Sequence, residues 1–202
     1  MMNKSPISDE KTTTDLYIIA GANGSGKTTF AVEFSKNNDL HFINADEIAK
    51  QLNPFEITKV KIKAGKKFFM DIQNSFHKRI SFMLESTLSG KYLYKVIRTA
   101  KDKGYNIIII YLYLEHYQVN IARVRNRVLN GGHDVPKEDI IRRFYRSKKL
   151  FWEFYQDLAD SWFLFYNSSD DFEEIANFRQ GSKTIILNEI LFHRFKESIN
   201  GR

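Results

Sequence analysis

The sequence predicts an α/β fold: a mainly parallel sheet of five or six strands, helices on both faces and a helical lid. Three observations lead there. Strand-length apolar runs alternate with helix-length stretches along the 202 residues, a glycine-rich octapeptide joins the first run to the first helical stretch, and polar side chains recur where the runs end. The 43% apolar content is enough for one core and nothing in the composition marks a linker, so a single domain over residues 1–202 is expected, with 1–14 as a loose arm.

Strands are expected at residues 16–20, 41–44, 81–85, 106–114 and 161–166, with a sixth candidate at 184–187. Helical stretches lie between them, with long ones at 56–78 and 137–158. The first strand, Leu16, Tyr17, Ile18, Ile19, Ala20, runs into Gly-Ala-Asn-Gly-Ser-Gly-Lys-Thr at 21–28, a G-x-x-x-x-G-K-[ST] phosphate loop followed by a helix start. Gly21, Gly24 and Gly26 let the backbone wrap with its N–H groups inward, and Ala22, Asn23, Ser25 and the helix-opening Thr28 and Thr29 complete an anion cup at a positive dipole end. Lys27 is placed to reach the β- and γ-phosphates, and the Thr28 hydroxyl to ligate a phosphate-bound Mg²⁺. Such an octapeptide arises by accident in fewer than about one in a hundred chains of this size. Its setting identifies a P-loop NTPase fold.

Chemistry in such sheets sits at the carboxyl ends of the strands. The second strand ends Asn44-Ala45-Asp46, where the Asp46 carboxylate could take a proton from an attacking hydroxyl, hold a metal through water, or cap the helix that follows. The third ends Glu85-Ser86-Thr87-Leu88-Ser89-Gly90; Glu85 and Thr87, two apart, share a face and could orient a polyol, while Ser89 is a candidate helix cap. Arg123 and Arg127 stack at i, i+4 before Gly131 and Gly132 break the helix, and Pro136 suits the start of the next, which carries Arg142, Arg143 and Arg146. Arginines flanking a flexible loop are what a closing lid needs to neutralise a migrating phosphoryl group, although arginines on such helices are more often solvated. His133 in that loop reads as structural, and Asn167-Ser168 as a turn or the edge of a base site.

Composition narrows the classes. No cysteine means no disulfide framework and no thiolate metal site, and the polar amino-terminal stretch lacks the apolar core of a secretion signal. The longest apolar run, residues 107–114, is far short of a membrane span, so a soluble cytoplasmic protein is expected. A net charge of +7 suits phosphate-rich ligands, although the cluster Lys59, Lys61, Lys63, Lys66 and Lys67 reads as a solvated helix face.

Together, over residues 16–168, these motifs resemble the zeta toxin family of kinases, in particular its short members often labelled predicted ATPases. The resemblance implies transfer of a phosphoryl group from ATP or GTP, with Mg²⁺, to a hydroxyl of a nucleotide sugar, typically UDP-N-acetylglucosamine, and with it an antitoxin protein as partner. By matching position it implies Lys27 as stabiliser of the migrating phosphate, Asp46 as general base, Glu85 and Thr87 as holders of the acceptor, and Arg127 with Arg143 as the lid pair. Ile141 stands where relatives often carry arginine, which leaves Arg142 and Arg143 as alternatives.

Two other classes compete. A kinase of another small-molecule, nucleotide or polynucleotide hydroxyl would use the same machinery. A non-transferring ATPase or switch would read the strand before Glu115 as a Walker B element, but would leave Asp46 and the lid arginines without a task. A pure nucleic-acid-binding module ranks last, because no recognition motif is visible.

Overall fold

The computed structural model describes residues 13–54, 56–132, 134–167 and 171–200; most of the expected arm, His133 and Ser168 lie outside the described residues. Among the described residues seven strands form one sheet in the order β2-β3-β1-β4-β5-β6-β7. At its centre are β1 (Thr14–Ala20), β3 (Phe82–Ser86) and β4 (Tyr105–Tyr113), flanked by β2 (His41–Ile43) and β5 (Ser161–Asn167). These five pair in parallel, whereas β6 (Phe172–Arg179) and β7 (Ile185–Ile186) continue the sheet antiparallel. Thr14, assigned above to the arm, pairs with Tyr105.

The sheet exceeds the expected five or six strands because β6 went unread. Its sequence, Phe-Glu-Glu-Ile-Ala-Asn-Phe-Arg, carries two adjacent glutamates that mask the apolar pattern, and a register shift at Leu164/Phe165 lets it follow β5. β4 is buried along nearly its whole length, as a central parallel strand covered on both faces must be.

Alternation along the strands divides the interior. Leu16, Ile18 and Ala20 face one layer, where α3 (Ile57–Lys78), α4 (Leu93–Asp102) and the carboxyl-terminal α7 (Glu189–Asn200) pack. On α4 the buried residues are Leu93, Val96, Ile97 and Ala100, an i, i+3, i+4, i+7 stripe. Ile19, Met83, Ile110 and Leu112 face the other layer with α1 (Lys27–Asn37), whose Phe30 lies beside Phe165 and Phe172 and whose Phe34 lies beside Tyr17. The first layer is rich in rings: Tyr111 stacks on Phe151 at 4.4 Å, and Trp152, Trp162 and Phe195 close around them.

Short α2 (Ala45–Leu52) follows β2 directly. The expected lid is α5 (Tyr117–Leu129) and α6 (Lys137–Leu150), which share a small core of Val124, Val135 and Ile140. The helix expected over 137–158 is α6 followed without a break by a π turn, Phe151–Tyr155, and a 3₁₀ turn, Gln156–Leu158.

Candidate active site

The phosphate loop takes its shape from backbone that only glycine adopts easily. Gly24 and Gly26 have φ of 78° and 91°; a Cβ on Gly24 would lie 2.6 Å from the Asn120 carbonyl, and one on Gly26 would collide with the Asn167 amide. Two asparagines brace the loop from behind: Asn120 on α5 donates to the Asn23 carbonyl at 2.7 Å, and Asn167 at the end of β5 donates to the Ser25 carbonyl at 2.9 Å. Asn167 is therefore a support of the loop, and it also lines the cleft in front of it.

Lys27 lies in the loop, 6% exposed, donating to the Ala22 carbonyl at 2.9 Å with Glu85 Oε1 at 3.7 Å. Burial pushes its ammonium below the usual lysine range; Glu85 and Asp46 oppose the shift, and Arg127 adds to it. Glu85 is placed by β3, which pairs with the loop-bearing strand in the register Ile19↔Glu85. Its Oε2 accepts from the Thr28 hydroxyl at 2.8 Å and from the Asn44 amide at 2.7 Å. In this arrangement Glu85 is turned to the phosphate loop, whereas Thr87, its presumed companion, bonds the Ser89 hydroxyl at 2.8 Å.

Asp46 does not cap α2. Asn44 does, its Oδ1 accepting from the N–H groups of Asp46 and Glu47 at 2.8 and 3.2 Å, which leaves the Asp46 carboxylate to line the cleft. Ser89 likewise does not cap α4, whose amino-terminal flank is Tyr92. A cap reading from sequence picks a polar residue near a helix start; which of several takes the role depends on backbone geometry that the sequence does not display.

The lid arginines divide. Arg143 is 30% exposed and reaches across to Asn23 Oδ1 at 3.2 Å, with Asp139 at 3.4 Å; Arg142 is 55% exposed and pairs outward with Asp139 at 2.7 Å. Arg127 precedes the turn in which Gly132 donates to the Arg127 carbonyl at 2.8 Å. One cleft of about 640 Å³ collects Lys27, Thr28, Asp46, Glu85, Thr87, Arg127 and Arg143, together with Arg123 and residues the sequence did not single out as binding, among them Asn44, Ser86, Tyr92, Asp171 and Phe172. Asn44 had a signal, a capping residue type beside a strand end, while Tyr92 and Phe172 are aromatic residues that only the fold brings there. Glu115, the carboxylate required by the switch reading, lies away from this cleft and pairs with Arg194 at 3.4 Å.

A model of the zeta toxin family matches residues 2–161. The chain belongs to the zeta toxin family. An uncharacterized protein of Haemophilus influenzae is 35% identical over 125 residues, covering 62% of this chain and 88% of that one. Among solved structures, a chain of the AvrRxo1-ORF1:AvrRxo1-ORF2 complex with ATP superposes with TM-score 0.73 at 15% identity over 92% of this zeta toxin family chain, which spans 64% of the length of that one. A chain of the PezAT chromosomal toxin–antitoxin system of Streptococcus pneumoniae gives TM-score 0.62 at 13% identity, covering 94% and 87%. At such identities the likeness is one of fold, the P-loop kinase fold expected of the family.

The oxygen set beside the loop suits a hard cation. Thr28 Oγ1 and the Glu85 carboxylate are 2.8 Å apart, and Asp46 lines the same cleft. Among the described residues there is no group of three or more acidic, histidine or cysteine side chains that could hold a metal ion. None of the described helices is long and apolar enough to cross a membrane.

Proposed function

We propose that this protein is an ATP-dependent phosphotransferase that moves the γ-phosphate of ATP, or of GTP, to a hydroxyl of a nucleotide sugar such as UDP-N-acetylglucosamine. One observation carries the reading: Asp46, relieved of capping by Asn44, opens into the same cleft as Lys27 and the lid arginines. A carboxylate in the same cleft as a phosphate loop suits an acceptor hydroxyl that must lose its proton as it attacks.

The loop N–H groups and Lys27 hold the β- and γ-phosphates. Thr28 would hold a phosphate-bound Mg²⁺, which would supply neutralisation of charge on the phosphate oxygens. Asp46 accepts the proton of the acceptor hydroxyl as its oxygen bonds to the γ-phosphorus, and the bond to the β-bridging oxygen breaks. Arg127 and Arg143 balance the charge spread over the transferring group. Thr87 orients the acceptor, with Glu85 beside it, and Glu85 also connects the acceptor side to the phosphate loop through Thr28 and Lys27. The volume of the cleft lies within the range of about 300–1,000 Å³ usual for ligand sites.

The test is incubation with γ-labelled ATP and a panel of nucleotide sugars, nucleotides and polynucleotide ends, with the product identified by mass. A labelled nucleotide sugar is the expected result; label on another hydroxyl moves the protein to the kinase class with the same machinery, and release of phosphate alone overturns the transferase reading. Asp46→Asn should keep ATP affinity and lose the chemical step. An antitoxin partner is proposed from family membership, and is tested by whether a co-expressed neighbouring gene product relieves growth arrest caused by this chain.

A further inference from the structure

The loop leaving β3 is held at two carbonyls by one helical segment. Ser147 on α6 donates to the Thr87 carbonyl, and Tyr155 in the π turn donates to the Gly90 carbonyl at 2.6 Å. Ser147 is fully buried, and its oxygen accepts from the Tyr111 phenol of β4 at 2.8 Å. Burial pushes the Tyr111 phenol far above its ordinary range, so it remains a donor and leaves the single Ser147 proton directed at Thr87. Between the two held carbonyls Leu88 has φ of 47°, a left-handed conformation that a leucine keeps only where its surroundings impose it, and its N–H is fixed to Ser86 Oγ at 3.0 Å. One turn back from Ser147 on α6, Arg143 reaches Asn23 of the phosphate loop.

We propose that Ser147 is a positioning residue through which α6 ties the loop carrying Thr87 to the phosphate loop. A nucleotide settling against Asn23 and Arg143 then sets the acceptor side of the cleft before an acceptor arrives. The linkage rests on the phosphotransferase reading for the meaning of its two ends, but it is measurable without an acceptor.

Hydrogen exchange over residues 86–92 tests it, with and without Mg²⁺-ATP, in the unsubstituted protein, Ser147→Ala and Tyr111→Phe. ATP should slow exchange there about fivefold or more in the unsubstituted protein. Ser147→Ala should lose that response, and Tyr111→Phe, which removes an equally buried bond but leaves Ser147 on Thr87, should keep it. If Ser147→Ala does not fold, Ser147→Cys, similar in volume and a weak donor, carries the same expectation. In turnover with the acceptor found by the labelling panel, Ser147→Ala should raise the acceptor KM about tenfold and leave that of ATP unchanged. A retained ATP response in Ser147→Ala, or its equal loss in Tyr111→Phe, overturns the coupling alone. Failure of the unsubstituted protein to bind ATP overturns the phosphotransferase reading and the coupling with it.

Discussion

Lys27, to which the proposed chemistry gives the migrating phosphate, is a buried amine pushed down by desolvation, with Glu85 and Asp46 opposing the shift. Lys27→Ala should lower transfer by about 10²- to 10³-fold, measured as label incorporation, and it also leaves Glu85 without its cation. The arginines offer a sharper comparison because they are neighbours on one helix. Arg143→Ala should cost about 10³-fold in kcat, as loss of a charge-neutralising arginine does elsewhere, while Arg142→Ala, whose guanidinium pairs outward with Asp139, should stay within about twofold. Equal losses in the two variants would remove the lid assignment. Of these residues, Lys27 and Thr28 were legible because their spacing is fixed by the shape of a phosphate. Arg143 was ambiguous because adjacent positions on a helix differ in direction by about 100°, and only packing says which one faces inward.

At the scale of elements, α2 and α7 carry the predictions. Asn44→Ala removes both the cap of α2 and the amide that donates to Glu85, so it should lower unfolding stability by about 1 kcal/mol and also reduce turnover, unlike a cap on an ordinary surface helix. On α7, Ser198 receives the Lys148 amine at 3.1 Å, with the rings of Phe144 and Tyr113 beneath it at 3.7 and 5.0 Å. Burial pushes Lys148 down to about 7, with Glu115 opposing. Between pH 7 and the unfolded value of 10.5 the unfolded chain binds more protons at this site, so stability rises with pH in that window; below pH 7 the full penalty applies. Melting temperatures from pH 6.5 to 9.5 should rise more for the unsubstituted protein than for Lys148→Met. Elements with a plain apolar run or a long periodic stretch, such as β1, β4 and the helices expected at 56–78 and 137–158, were visible in the sequence. β6 and α7 were not, since β6 mixes charge with its apolar face and α7 is recognised by what it covers, the rings around Phe151.

Across the whole molecule, a donor nucleotide joins pieces far apart in the chain: the loop after β1, the ends of β2 and β3, and both lid helices. Binding there should stabilise the fold as a unit. Mg²⁺-ATP at a hundred times its Kd adds about 2.7 kcal/mol, which for a domain of this size raises Tm by about 5–10 °C. Lys27→Ala should abolish the shift, and a shift that survives would point to a nucleotide bound elsewhere. The fold class followed from the sequence since alternation and the phosphate loop both dictate a parallel sheet, whereas the grouping of Tyr92 and Phe172 in the cleft depends on closure of the chain in space. The amide of Asn167, which supports Ser25 from 142 positions away, gives the loop a long-distance dependence. The matched family segment ends at residue 161, short of that support. A chimera that transplants the segment onto a relative's remaining chain should therefore need Asn167 and Phe172 to travel with it. The octapeptide is portable as text, but its shape is inherited from the facing ends of β5 and β6.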